Sequence, residues 1–152
     1  MIDHSSPVTL TKVHEMVRAE MDVKLFTVLA FTDGGQTLQR LYSSHPEQYP
    51  VGGRKDAVAD VAADWVTRCR DEQAPYFGAT REDIRRIFAD SALIESLGCG
   101  SIINVPIVRR GVSIGALNIL DAEGTYSGAH IGKALTIAER AGEIVERIIG
   151  EL

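Results

Sequence analysis

Apolar residues recur along the chain with two different periods, and the switches between them mark its elements. Leu10, Val13, Met16, Val17 and Met21 keep the three-four spacing of one helical face. With Ser6 as N-cap and Pro7 at the first helical position, they predict a helix over 7–22. Lys24 to Thr32 is β-branched and aromatic, Asp33-Gly34-Gly35 supplies a turn, and Thr37 to Ser43 resumes an extended pattern. That is a hairpin by its turn chemistry. Two prolines and a glycine pair make Ser44 to Lys55 (SHPEQYPVGGRK) a loop. Asp56 is then placed to cap a second helix with Val58, Val61, Ala62, Trp65, Val66 and Cys69 on one face. On its other side Asp64 and Arg68, four apart, predict a solvated ion pair. Tyr76-Phe77 reads as a short strand, and Thr80 with Asp83 as a capping box ahead of Ile84, Ile87 and Phe88. Ser91 to Leu97 is a further short helix, ended by Gly98.

The clearest strand pair is Gly100 to Val108 with Val112 to Asp121. Arg109-Arg110-Gly111 suits a three-residue loop, which pairs Val108 with Val112, Asn104 with Ala116 and Ile102 with Asn118. One face then carries Ile103, Val105, Ile107, Leu117 and Ile119, with Ser101 and Ser113 at its ends, and belongs against helices. The other carries Ile102, Asn104, Pro106, Ile114, Ala116, Asn118 and Leu120. An unpartnered buried amide costs about 1–3 kcal/mol, so the two asparagines must meet each other, backbone, water or a ligand. Backbone groups of an irregular crossover are the plain alternative. The functional one is a mostly apolar pocket with a few convergent polar groups. Its candidate residues are Ile102, Asn104, Ala116, Asn118 and Leu120 on the sheet, with His45, Tyr49 and Arg54 from the loop and Tyr76 and Phe88 from the lid beyond.

The chain closes with a helix over 128–149. Ile131, Leu135, Ala138, Gly142, Val145 and Ile149 form one apolar stripe, and Ala134, Ile137, Ala141, Ile144 and Ile148 a second. Together they cover about half the circumference, more than the roughly 100° needed for one sheet face. The surplus predicts a homodimer through the N- and C-terminal helices, although the first helix could also cover it within one chain. Helix, hairpin, helices, hairpin, helix is an α+β (mixed α/β) order, with antiparallel strands and helices on both sides. The 152 residues suit one domain, 1–152, around a core at 24–121.

Composition removes several function classes. Sixteen Lys and Arg against 21 Asp and Glu give a net charge of -5, which offers no general attraction for nucleic acid. The uncharged stretch Leu97 to Val108 is too short to span a bilayer, and the N-terminus has no apolar secretory run. Two cysteines fit a reducing cytosol, so a cytoplasmic location without membrane attachment is expected. His4, His14, His45 and His130 lack ligand spacing, so no metal and no cofactor is expected. Val51-Gly52-Gly53-Arg54-Lys55 departs from a phosphate loop because Asp56 stands where Ser or Thr should, and no Gly-x-Ser-x-Gly elbow is present. It reads as a flexible basic loop, with Arg54 and Lys55 open to an anionic ligand as the alternative. Cys99, between two glycines, reads as a small buried residue with an accessible reactive thiol as the alternative, while Cys69 beside Trp65 reads as core.

Gly100-Ser101-Ile102-Ile103-Asn104-Val105-Pro106-Ile107, then Gly111 and Ile114-Gly115-Ala116-Leu117-Asn118-Ile119-Leu120, resembles the strand-turn-strand signature of GAF domains. The loop from Tyr42 to Lys55 is similar to that of a group of small stand-alone GAF proteins. The resemblance covers nearly the whole chain and implies a twisted antiparallel sheet of five or six strands with a ligand pocket on one face. It implies a non-catalytic, small-molecule-binding sensory or regulatory module acting as a homodimer. The Asn-Lys-x-Phe-Asp signature of cyclic-nucleotide-binding members is missing, and neither cysteine has the neighbouring histidine of bilin-binding ones. An enzyme resembling the free methionine-(R)-sulfoxide reductases, with Cys99 as nucleophile, is the alternative. Against it, the matching strand positions hold Ile102, Asn118 and Leu120, and the expected cysteine falls near Glu95. A dimerisation or scaffold module with a closed pocket is the third reading.

Overall fold

A six-stranded, wholly antiparallel sheet in the order β3-β2-β1-β6-β5-β4 divides the molecule into two apolar layers. The computed structural model describes residues 9–152. Its elements are α1 (Leu10–Glu20), β1 (Leu25–Thr32), β2 (Thr37–Ser43), β3 (Arg54–Asp56), α2 (Ala63–Val66), β4 (Tyr76–Gly78), α3 (Arg81–Ile87), α4 (Ser91–Ser96), β5 (Ser101–Arg109), β6 (Val112–Asp121) and α5 (Gly128–Gly150). No described helix is long and apolar enough to cross a membrane.

Helix α1 begins later than expected. Thr9 is extended and its hydroxyl accepts from the Lys12 amide at 3.1 Å, which makes it the N-cap. The Ser6-Pro7 start and His4 lie outside the described residues. The segment after Asp56 also differs: its carboxylate accepts from the amides of Val58 and Ala59, but the chain then turns instead of winding. Val61 bridges Phe88, Val58 is left exposed, and the helix forms only from Ala63, continuing as a π turn over Thr67–Asp71. Asp64 does not pair with Arg68. It binds Arg86 at 3.0 Å and the Tyr76 hydroxyl at 3.0 Å, while Arg68 Nε donates to the Pro75 carbonyl.

The β5–β6 hairpin keeps its expected faces by a different route. Arg109 pairs with Val112, so the loop is the two residues Arg110 and Gly111, both with positive φ (54° and 78°) as a type I′ turn requires. Taken alone, that loop would reverse the parity. A bulge between Ile107 and Val108 restores it: Ile107 faces Gly115, and Asn104 stands opposite Asn118, not Ala116. Ile102 accordingly pairs with Leu120. At the bulge two residues exchange faces. Ser113 points to the Cys69 carbonyl at 3.0 Å, and Ile114 joins the opposite layer.

That opposite layer packs Ile103, Val105, Ile107, Leu117 and Ile119 against α1 and α5. All five are fully buried, and each contributes about 1.5–3 kcal/mol by leaving water. The buried face of α5 draws on both stripes. Ala134, Ile137, Ala138, Ala141, Gly142 and Val145, drawn from both, form one buried face, with α1 packed beside it. The second layer places α2, α3 and α4 over Ile102, Ala116 and Leu120, with Trp65, Ile84, Ile87 and Cys69 at its centre.

Candidate functional site

Within the second layer lies a cavity of about 30 Å³ lined by Leu25, Thr27, Leu29, Arg40, Tyr49, Lys55, Phe88, Ile94, Ile102, Asn118 and Leu120. Its floor is made by inward positions of β1, β6 and β5, which alternate by the period of two. The two asparagines answer each other: Asn104 Nδ2 donates to Asn118 Oδ1 at 2.7 Å, and Asn118 Nδ2 donates to Thr27 Oγ1 at 3.0 Å. Asn104 Oδ1 is buried without a partner. Neither amide serves an irregular backbone.

Arg40 reaches this floor from β2, opposite Leu29, just where a bulge between Val28 and Leu29 adds a residue to β2. It is 6% exposed. Its Nη1 donates to the Pro50 carbonyl at 3.0 Å, and its guanidinium lies 4.8 Å from the Tyr49 ring centroid. Its Nε is buried with no partner among the described residues. A Cβ on Gly53 would collide with Arg40 Nη1, so this glycine of the pair makes room for the guanidinium. Burial is the larger influence on Arg40 and lowers its proton affinity, partly offset by Tyr49 and Asp90.

The roof is tied down at Asp90. Tyr49 Oη donates to its Oδ2 at 2.7 Å and Lys55 Nζ to its Oδ1 at 3.1 Å, joining the 44–55 segment to the 88–91 segment. Lys55 also lies 4.8 Å from the Phe88 ring centroid. Burial lowers the Lys55 pKa, against the pull of Asp90. Burial would raise Asp90, but the Lys55 charge and the bonds from Tyr49 and Lys55 outweigh it and hold the carboxyl below its usual range. Tyr49 is pushed well up by burial and by its bond to Asp90, so it remains a donor.

Of the residues expected from sequence, Ile102, Asn118, Leu120, Tyr49 and Phe88 line the cavity. Ala116 and Asn104 belong to the same face without touching the cavity. His45, Arg54 and Tyr76 are not part of the lining. His45 Nδ1 meets Ser44 Oγ, Arg54 is exposed on β3 while its neighbour Lys55 turns inward, and the Tyr76 hydroxyl leaves for Asp64 and Arg86. Arg40, Asp90 and Thr27 were not foreseen, and Lys55 was singled out only together with Arg54 as a basic residue for an anion. Gly53 was the one available signal, since a basic residue packed on backbone needs a missing Cβ.

Both thiols are buried. Burial, then Asp121, pushes Cys99 up to about 11, and burial pushes Cys69 up to about 12. A thiolate is therefore scarce at neutral pH, which weighs against Cys99 as nucleophile. Among the described residues no group of three or more His, Cys, Asp or Glu side chains could hold a metal ion. The arrangement supplies donors and a shaped apolar floor, which is equipment for binding.

No protein-family model and no curated protein sequence matches the chain. Solved structures do. The GAF domain/HD domain protein from Geobacter sulfurreducens superposes with a TM-score of 0.72 at 12% identity, covering 91% of this chain and 90% of that one. The chain has the GAF fold. The GAF domain of a two-component sensor histidine kinase from Bacillus halodurans gives 0.70 at 14% identity over 93% and 94%. The GAF-B domain of DevS from Mycobacterium smegmatis gives 0.63 at 10% over 91% of each chain. In this GAF fold the cavity lies between the sheet and the short helices α3 and α4, under the segment from β2 to β3.

Proposed function

We propose that this GAF domain is a non-catalytic regulatory module that binds a small molecule in the cavity beneath Tyr49 and Asp90. The observation that carries the reading is Arg40, a guanidinium enclosed over an apolar floor with its Nε unanswered. Native proteins rarely leave such a group unpaired unless something else is to meet it. Similarity in fold to a domain of a sensor histidine kinase supports a regulatory role. The cavity of about 30 Å³ holds one or two waters, against the 300 Å³ or more of typical ligand sites, so binding requires the roof to lift. Native mass spectrometry of the purified protein should find a bound species lost on denaturation. Its binding should slow amide exchange over 44–55 and 88–97. A protein that is empty as purified, and still empty after incubation with a small-metabolite extract, would overturn the reading.

That closed cavity favours a second reading, a dimerisation or scaffold unit whose pocket does not open. In either case the partner proposed is a second copy of this chain. Met16, Ala19 and Ile137 line a groove between α1 and α5 with Glu20 on one side and Lys133 and Arg140 on the other. Among the described residues none of these three charged side chains has an ion-pair partner, and a two-fold axis would present each sign to the other. Light scattering at tens of micromolar should give a dimer, and I144E/I148E a folded monomer. A wild-type monomer would end this part.

A further inference from the structure

We infer that the ligand is a small monocarboxylic acid with an apolar body, its carboxylate taken by Arg40 beside the Lys55–Asp90 pair. The inference rests on the cavity being a ligand site, and adds the chemical class.

The charges around the cavity do not balance. Arg40 and Lys55 are two cations, and among the described residues Asp90 is the one carboxylate bonded to either, with Asp60 acting on Lys55 only from a distance. Asp90 is spent on Lys55 and Tyr49, so Arg40 holds only a backbone carbonyl. Its Nε–H faces no acceptor. A buried charge left uncompensated is among the costliest features a core can carry. One monoanion would neutralise the excess. A phosphate monoester would bring about 1.5 to 2 negative charges and overshoot. A neutral or cationic ligand would leave Arg40 as it stands.

The remaining lining sets the body of the molecule. Leu25, Leu29, Ile94, Ile102 and Leu120 are aliphatic, and Phe88 adds a ring. Asn118 is committed to Asn104 and Thr27. Thr27 Oγ1 accepts that amide, which leaves its own hydroxyl proton free to donate. The site therefore has donors for one anionic end and hydrocarbon for the rest.

Asp90 keeps its own place in that count. Its two oxygens take Tyr49 and Lys55, which leaves the Arg40 Nε–H as the donor for an incoming acid. An acid held there leaves the ties between the 44–55 segment and the 88–91 segment intact.

Trp65 reports the event, because it is the single tryptophan and stands edge-on to Phe88 with ring centroids 6.0 Å apart. The full chain is titrated with hexanoate, benzoate and 3-phenylpropionate, and in parallel with hexanamide, benzamide, hexylamine and phenyl phosphate. Tryptophan emission and thermal midpoint are followed together. At least one acid should bind saturably and raise the midpoint. Its amide should bind about tenfold to a hundredfold more weakly, the worth of hydrogen bonds to a charged group. R40M should lose acid binding, and D90A should bind the acid more tightly because the Lys55 ammonium is then left to it as well. Amides, amine or phosphate ester binding as tightly as the acids would overturn the class and leave the ligand site standing. R40M binding acids like the wild type would do the same. If no acid binds wild type or D90A, the inference falls, and the mass-spectrometric search for a bound species decides the site on its own. Should R40M fail to fold, the comparison of acid with amide on the wild type decides without it.

Discussion

Asp90→Asn removes one charge and almost no volume, so it isolates the electrostatics of the roof. The asparagine oxygen can accept from Tyr49 or from Lys55, but its amide then faces the other donor. Lys55 and Asp90 side chains are 16% and 27% exposed, so the pair is mostly but not fully withdrawn from water. Breaking a fully buried pair costs about 3–5 kcal/mol, and the residual exposure brings the expected loss to about 2–3 kcal/mol. Denaturant unfolding at pH 7 measures it. The pH dependence supplies the sharper check. Burial lowers Lys55 below its ordinary value of 10.5. Between the lowered value and the ordinary one, the unfolded chain holds a proton that the folded chain has shed. Stability therefore rises with pH across that window. Without Asp90 the folded value drops further and the window widens downward, so the deficit of D90N should shrink between pH 7 and pH 9. Lys55→Met in the D90N background should recover about 1–2 kcal/mol, since it removes the orphaned ammonium and leaves Tyr49 an acceptor. A deficit under about 0.5 kcal/mol at pH 7, or one unchanged at pH 9, would refute the reasoning.

Other consequences are as direct. Asn118→Val strands Asn104 Nδ2 and should cost about 1–3 kcal/mol, whereas N104V/N118V should recover most of it; urea titrations showing simple additivity would contradict the paired amides. Gly53→Ala drives a methyl toward Arg40 Nη1 and should cost about 1–3 kcal/mol, less in an R40M background, measured by thermal melts. Cys69 and Cys99 should be alkylated only as fast as the protein opens, and rapid native labelling of Cys99 at neutral pH would reinstate thiol chemistry.

The face of the sheet that carries the site was legible because β5 and β6 are long enough for alternation to separate Asn104 and Asn118 from Ile103 and Ile119. The order of elements and the roofing by the loop followed from turn and cap residues such as Gly98 and Thr80. The exact register did not, because a two-residue loop combined with a bulge leaves the same parity as a three-residue loop. Only Ser113 and Ile114, at the bulge itself, changed sides. The charged residues were hidden for related reasons. A three-residue strand has no period to read, so Lys55 could not be told from Arg54. Arg40 sits among Leu38, Gln39 and Leu41, where a bulge breaks alternation. Asp90 gains its role from partners 35 and 41 residues away, which no local pattern can disclose.

The sheet ends on both sides in strands of three residues, β3 and β4. A border that short offers a stranger's backbone few hydrogen bonds, and neighbouring molecules gain little by extending the sheet across it. β3 carries a further constraint, because its middle residue is Lys55. Pulling that rim into an intermolecular ladder would tug the ammonium off Asp90. Resistance to edge-wise aggregation and retention of the closed roof are thus one property, and a variant that loosens the roof should also be the one that precipitates.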